Sequence, residues 1–465
     1  MESLTTNLTT KDIVDACDGV LISGTLDIIC ENFVKDSREV REKDTYIGIK
    51  GENFDGNQFY IDALEKGATC CILQDVVVNE NIKEKYSNRA IIIVKDTRKA
   101  LLQIAKLKRS FYNIPVVGVT GSVGKTSTKD IIASVLSQKY NVLKTEGNMN
   151  NAIGLPMTIL KLRDHNALVV EMGMNALGEI SELSDVANPT IAIINNVGTA
   201  HIGELGSREN ILKAKIEITE GLSHDGMLII NGDNDMLAKW NEKSEMKNVL
   251  TFGINEKNIA IGKIIEEREN GTLATIKIEN QEIEVNIPIA GEHFVYNSAC
   301  AALVGILCDV SLQEIKQGIE NFKLSKNRLE IIKTKAGITI INDSYNASFD
   351  SMKASIELLS KKEGKRKIAV LGDMFELGKY SENLHRKVGT EVYKNEINKL
   401  YIVGNDAKYI AMQAKQEGMN NENINIFENC EKCIKSLKEN LKNGDVVLIK
   451  ASNSMKFYQI VESLK

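Results

Sequence analysis

Short apolar runs separated by amphipathic stretches set the rhythm of most of this chain. Between residues 116 and 231 the runs VVGVT, ALVVEMG, IAIINNVG and GMLIIN alternate with segments such as STKDIIASVLSQK and SRENILKAKIEITEGL, whose spacing is helical. Strands alternating with helices predict a central doubly wound parallel sheet. A second alternation follows KLSKNRLE, through GITIINDSY, KIAVLGDM, KLYIVGN and DVVLIKASNS, and predicts a C-terminal Rossmann-like α/β domain. Before residue 113 the pattern is mixed: DTYIGIKG, ATCCILQ and AIIIVKD read as strands and residues 97–112 as helix, the pattern of a small mixed α/β domain. Residues 272–291 read as strand and lead into a helix over 293–308. Three α/β domains are expected, over residues 1–113, 114–324 and 325–465.

Composition narrows the partners. Lys plus Arg number 58 against 63 Asp plus Glu, a formal charge of -5, so no basic field draws the chain to nucleic acid. The apolar stretch SACAALVGILC is too short to span a bilayer, and the first residues lack the basic and apolar regions of a leader. Eight scattered cysteines suit a reducing compartment, so a cytoplasmic protein is expected. Cys430 and Cys433 form one pair without a second and read as helix residues rather than zinc ligands.

The stretch GVTGSVGKTSTKD follows a strand and opens a helix. Gly121 and Gly124 let backbone N–H groups curl round phosphate oxygens, Lys125 can reach the outer phosphates, and Thr126, directly after it, offers a hydroxyl to magnesium. Val119 stands where the usual P-loop has its first glycine. Ligands of such sheets gather at the carboxyl ends of the strands, where this chain places Glu171, Asn195, Asn196 and, further on, His201. Alone, Glu171 could cap a helix and His201 could be an ordinary loop histidine; beside a P-loop both read as site residues. No Asn-Lys-x-Asp element for guanine is present, which favours ATP.

The stretches DSREV, GENFDGNQF, TGSVGKTS, TEGNMNNAIGLP, VEMGMNALGEI, NVGTAHIGELGS, KAKIEI, NDSYNASFDSMKAS and LGDMFELG, in this order over nearly the whole length, resemble the Mur ligases, ATP-dependent amide-forming enzymes of peptidoglycan precursor synthesis. The resemblance implies that Thr120, Gly121, Ser122, Val123, Gly124, Lys125 and Thr126 form the ATP-phosphate loop and that Glu171 and His201 bind Mg2+ with Thr126. It implies that Lys215 is carbamylated, which turns a cation into an anionic metal ligand; without the family it reads as a solvated helix residue. Asn297 would contact adenine, and Arg328 and Asp343 would complete the nucleotide site; taken singly they are a helix amide, a surface charge and a strand-end cap. Ser37 and Arg38 would meet the uridine diphosphate, Asn148, Asn150 and Asn151 the substrate carboxylate side, and Tyr345 and Asn346 the nucleotide or the incoming amine.

Two stretches depart from the family pattern, with Asn53 and Asn57 where arginine and histidine are usual, and KASN, residues 450–453, in place of KGSR. A DNPR-type stretch, the mark of members that add diaminopimelate, is missing. The resemblance therefore implies a monomeric ligase joining UDP-N-acetylmuramoyl-tripeptide to D-alanyl-D-alanine through an acyl phosphate. A paralogue using another amine or acid, or a nucleotide-gated switch that forms no bond, are the alternatives. Functional residues in separate domains lead to the expectation that the third domain swings onto the second.

Overall fold

A computed structural model describes residues 7–51, 54–269 and 271–465. The four apolar runs of the middle segment become the strands Val116–Thr120, Ala167–Glu171, Ile191–Ile194 and Met227–Asn231, with nearly every residue buried, because helices cover both faces. In spatial order the sheet runs Gln281–Ile287, Gly271–Ile278, Ala260–Arg268, Val249–Gly253, Met227–Asn231, Ile191–Ile194, Val116–Thr120, Ala167–Glu171, Val142–Lys144. Seven of these nine strands pair in parallel. The last two in sequence pair antiparallel, so the expected parallel sheet is mixed at one edge. The stretch read as strand over residues 272–291 extends the sheet because tight turns join it in hairpins, and hairpins impose antiparallel pairing.

Chain order reverses around Val116–Thr120, the switch point at which open α/β sheets bind ligands. The register sets Val119 opposite Glu171 and Thr120 opposite Ile194, so three strands end level there. The helix Lys125–Leu136 packs with Glu292–Leu307 over one face, burying Val117, Val119, Ile131, Ile193 and Leu303 in a single core. Each such side chain contributes about 1.5–3 kcal/mol of burial, which makes the sheet a rigid base for the loops at its rim.

Two further sheets flank this one. The first has six strands with mixed pairing, in the order Leu8–Thr9, Ile29–Val34, Asp44–Ile47, Cys70–Leu73, Ala90–Ile93, Val20–Ser23. The third also has six, Glu330–Lys333, Thr339–Asn342, Asp445–Lys450, Arg366–Gly372, Lys399–Val403 and Ile424–Phe427, parallel except for the first pair. Cys430 and Cys433 lie in the helix Cys430–Asn440. Among the described residues no helix is long and apolar enough to cross a membrane.

Candidate active site

The strand Val116–Thr120 ends in a loop that only glycine can shape. Gly124 has φ 81°, in the left-handed region, and a β-carbon on Gly121 would lie 2.9 Å from the Asn195 β-carbon. No side chain caps the helix that begins at Lys125, so its first amides and positive dipole end face the cavity. Asn196 braces the loop, accepting from the Ser122 and Val123 amides at 3.1 and 3.0 Å through Oδ1. Lys125 Nζ bonds the Gly121 carbonyl at 2.7 Å. Burial lowers the pKa of its ammonium while the nearby Glu171 raises it, and burial prevails.

Behind the loop, Thr126 Oγ1 donates to Glu171 Oε2 at 2.7 Å, and Asn150 Nδ2 donates to Oε1 at 2.8 Å. Thr126 and Glu171 are both nearly inaccessible. This hydroxyl and carboxylate, one turn from a phosphate-binding loop, are the donor set with which such folds hold magnesium on a nucleotide, and they fit that ion. Lys215, in the helix Arg208–Ile216, is 1% exposed, and its side-chain amine forms no hydrogen bond or ion pair with the described residues. Burial, aided by the charge of Lys125, holds its amine well below the ordinary lysine range. Burial favours the neutral amine, the form that reacts with CO2, so the surroundings of Lys215 are compatible with a carbamate. Unmodified, it offers a metal no anionic oxygen, and no three His, Cys, Asp or Glu side chains cluster as metal ligands among the described residues.

The third unit closes the cavity from above, leaving a volume of about 640 Å3. Arg328 lies 4.1 Å over the Tyr345 ring, and its buried Nε has no hydrogen-bond partner among the described residues. Asp343 is held by Lys450, by Ser355 Oγ at 2.7 Å and by the Leu329 amide at 3.3 Å. Burial works to raise its carboxyl, but Lys450, Ser355 and Arg328 together keep it below the usual range. Elsewhere on the wall Asn297, whose Nδ2 is buried without a hydrogen-bond partner among the described residues, stands one helical turn from His293. Burial pushes the His293 imidazole down to about 4, so it is neutral near pH 7.

Of the residues singled out in the sequence, Ser122, Val123, Gly124, Lys125, Thr126, Asn148, His201, Asn297, Arg328, Asp343 and Asn346 line this one cavity, with Glu171 bonded to Thr126 beneath it. Others lie elsewhere. The Thr120 hydroxyl donates to the Met172 carbonyl at 2.9 Å, inside the sheet. Asn151 is exposed and accepts from the Ile153 and Gly154 amides, which starts the helix Gly154–Ile159. Tyr345 forms the platform under Arg328. Ser37 and Arg38 belong to the first unit, where Arg38 is 86% exposed and pairs with Asp36 at 2.6 Å. Asn53 lies outside the described residues. Asn57 is a buried amide that accepts from Gln74 N at 2.9 Å. In KASN, Lys450 keeps its cation for Asp343, and Asn453 donates to the Tyr345 carbonyl at 3.0 Å.

The sequence reading passed over Phe252, Tyr296, His293, Asp350 and Glu376, which also line the cavity. His293 carried a usable signal, since it lies four residues before Asn297 on the same face of one helix. Phe252 and Asp350 carried none, because their placement depends on how sheets pack.

Comparison with known proteins decides the family. Three family models match in order along the chain: the Mur ligase family catalytic domain over residues 33–109, the Mur ligase middle domain over 119–305, and the Mur ligase glutamate ligase domain over 327–453. The chain belongs to the Mur ligase family. Among Mur ligases, it is 38% identical over 460 residues to the UDP-N-acetylmuramoyl-tripeptide--D-alanyl-D-alanine ligase of Bacillus subtilis, covering 98% of both chains. It is 33% identical over 407 residues to the Escherichia coli protein of the same name, covering 87% of this chain and 88% of that one. MurF from Acinetobacter baumannii superposes with a TM-score of 0.88 at 29% identity, with 98% of each chain covered. MurF ligase from Thermotoga maritima, solved in complex with ADP, gives 0.81 at 31% identity, with 93% of this chain and 97% of that one covered. The three-unit α/β architecture is thus that of this branch of the Mur ligases.

Proposed function

We propose that this chain is the ATP-dependent ligase that joins D-alanyl-D-alanine to UDP-N-acetylmuramoyl-tripeptide in peptidoglycan precursor synthesis. One observation carries the chemical part of the reading: a P-loop lysine, a Thr126–Glu171 pair and cations of a second unit converge on one cavity. The branch is supported by relatives named for this reaction at up to 38% identity over nearly the full length.

A carboxylate is a poor electrophile, and hydroxide leaves poorly from it. ATP corrects both faults. The terminal carboxylate of the tripeptide attacks the γ-phosphorus, the bond to ADP breaks, and an acyl phosphate forms; the amine of D-alanyl-D-alanine then attacks the acyl carbon and phosphate leaves. Negative charge moves through both steps, so fixed cations in a dry site supply most of the acceleration. Lys125 would meet the transferring phosphoryl group, and the uncapped first amides of the helix it begins would cradle the neighbouring phosphates. Arg328, with its free Nε, and Asp343, fixed by Lys450, are suited to phosphate and ribose, and Asn297, with its unpartnered amide, to adenine. Thr126 and Glu171 would hold Mg2+, with His201 and carbamylated Lys215 serving a second ion, and the metal would neutralise phosphate charge. Asn148 and Asn346 line the side open to the acid and the amine, and Ser37 with Arg38 receives the uridine diphosphate. Eight free cysteines accord with a cytoplasmic enzyme.

The test is phosphate release that requires both the UDP-muramoyl-tripeptide and D-alanyl-D-alanine, with the amide product identified by mass spectrometry. Tripeptides ending in diaminopimelate and in lysine, and a panel of other amines, separate this assignment from a paralogue. Phosphate release without amide product, or no acyl phosphate trapped by hydroxylamine, overturns it.

A further inference from the structure

Two residues from different units meet at the rim of the cavity, and both have backbones that L residues rarely adopt. His201, in the loop after Ile191–Ile194, has φ 62°, and Glu376, in the loop after Arg366–Gly372, has φ 63°. Residues with a β-carbon stay in this region only where surrounding contacts hold them there. Here the contacts join the units. The Gly203 amide donates to the Glu376 carbonyl at 3.0 Å, and the Tyr380 hydroxyl donates to the Gly206 carbonyl at 2.8 Å. Between these bonds Glu376 Oε2 lies 2.7 Å from His201 Nδ1, off the line of an ideal hydrogen bond but within ion-pair range.

The contact changes what His201 can do. The imidazole is 19% exposed, and with Nδ1 faced by a carboxylate, Nε2 is the nitrogen left for anything in the cavity. A carboxylate on one ring nitrogen orients the ring and makes the other nitrogen a better donor. Glu376 belongs to a different sheet from His201, so the pairing exists only while the two units are docked.

We propose that Glu376 is a positioning residue for the ligation: carried on the third unit, it sets the His201 ring toward the cavity, so that docking and completion of the phosphoryl-transfer site are one event. The proposal rests on the ligase reading above.

The experiment uses the full-length protein with Glu376→Ala and Glu376→Gln, both of which keep the β-carbon and the backbone bond to Gly203. Three quantities are read: kcat and KM for ATP in the coupled phosphate assay, Mn2+ affinity by electron paramagnetic resonance with ADP present, and docking by solution scattering. Glu376→Ala should lower kcat by about 10–100-fold and weaken Mn2+ by about tenfold. KM for ATP and the scattering profile should change little, and Glu376→Gln, whose amide oxygen still faces Nδ1, should recover part of the loss. Wild-type kcat and Mn2+ affinity in both variants overturn the proposal. Loss that tracks undocking in the scattering profile also overturns it, since Glu376 would then be a docking contact alone. Should the alanine variant fail to fold, the glutamine variant decides by the same criteria. If the unaltered enzyme releases no phosphate with all substrates present, the ligase reading fails, and the Mn2+ arm still tests whether Glu376 acts on His201.

Discussion

Asp130 and Ser325, 195 positions apart, are joined by two hydrogen bonds: the Ser325 amide and hydroxyl both donate to Asp130 Oδ2, at 2.9 and 2.7 Å. Asp130 lies in the helix that Lys125 begins, and Ser325 lies in the segment that leads to Arg328. The same carboxylate contacts Lys129 at 3.2 Å and Lys144 at 2.8 Å, and its side chain is fully buried. The phosphate-binding helix and the start of the third unit are therefore tied through one buried charge.

Removing that charge takes the contacting carboxylate from Lys129, whose buried ammonium then keeps only the Thr145 carbonyl at 2.7 Å as a hydrogen-bond partner among the described residues. Asp130→Asn is expected to cost about 3–5 kcal/mol in chemical denaturation at neutral pH. Burial works to raise the Asp130 carboxyl, but Lys129 and Lys144 outweigh it and hold its pKa below 3.8. A depressed acid contributes stability that is complete above its unfolded value and lost as pH falls through the folded one. The gap between wild type and Asp130→Asn should accordingly shrink below about pH 4, and a gap constant to pH 3 would contradict the assignment.

Carbamylation predicts a particular rescue pattern at Lys215. Lys215→Ala should lower turnover by about 100-fold or more, the scale on which one preorganised electrostatic group acts. A short carboxylate such as formate should restore part of it by occupying the space of the lost carbamate. Turnover near wild type, or loss that formate leaves untouched, would count against the modified lysine.

How much of this was legible beforehand varies with sequence distance. Lys125, Thr126 and Glu171 could be found because a P-loop marks one strand end, and a carboxylate at the end of the neighbouring strand is legible from the alternation alone. Arg328 and Asp343 needed the family resemblance, since nothing local says that a segment 200 residues on folds back over the loop. Glu376 and Asp350 escaped because they act across the boundary between sheets, and a sequence contains no docking angle. Asn151 shows what local sequence does decide: its side chain accepts from backbone amides two and three residues on, as short polar side chains do in loops. The edge hairpins were legible as strands but not as part of the central sheet, because pairing partners are a tertiary property.

Arg328 over Tyr345 makes a conservative change informative. Lysine keeps the charge but loses the planar fork and the stacking geometry. Arg328→Lys should raise KM for ATP by about 5–20-fold, equivalent to about 1–2 kcal/mol, with kcat less affected. The measurement is steady-state phosphate release at saturating acid and amine, and an unchanged KM removes Arg328 from the nucleotide site.

Gly203 offers a way to separate docking from folding. It lies in the short helix Ile202–Leu205, where alanine is intrinsically preferred over glycine, so Gly203→Ala should not weaken the central unit. The added β-carbon would, however, stand 2.6 Å from Gly378 N and 2.7 Å from the Glu376 carbonyl oxygen. These are backbone atoms of the third unit and cannot rotate away, so the approach that brings Glu376 to His201 is blocked. The variant is expected to keep its denaturation midpoint and to bind ADP through the P-loop, while showing a larger radius of gyration and a turnover reduced by at least about tenfold. Wild-type turnover with an unchanged scattering profile would mean that the two loops can part without consequence, and that the close approach of Gly203 to Gly378 is not needed for the reaction.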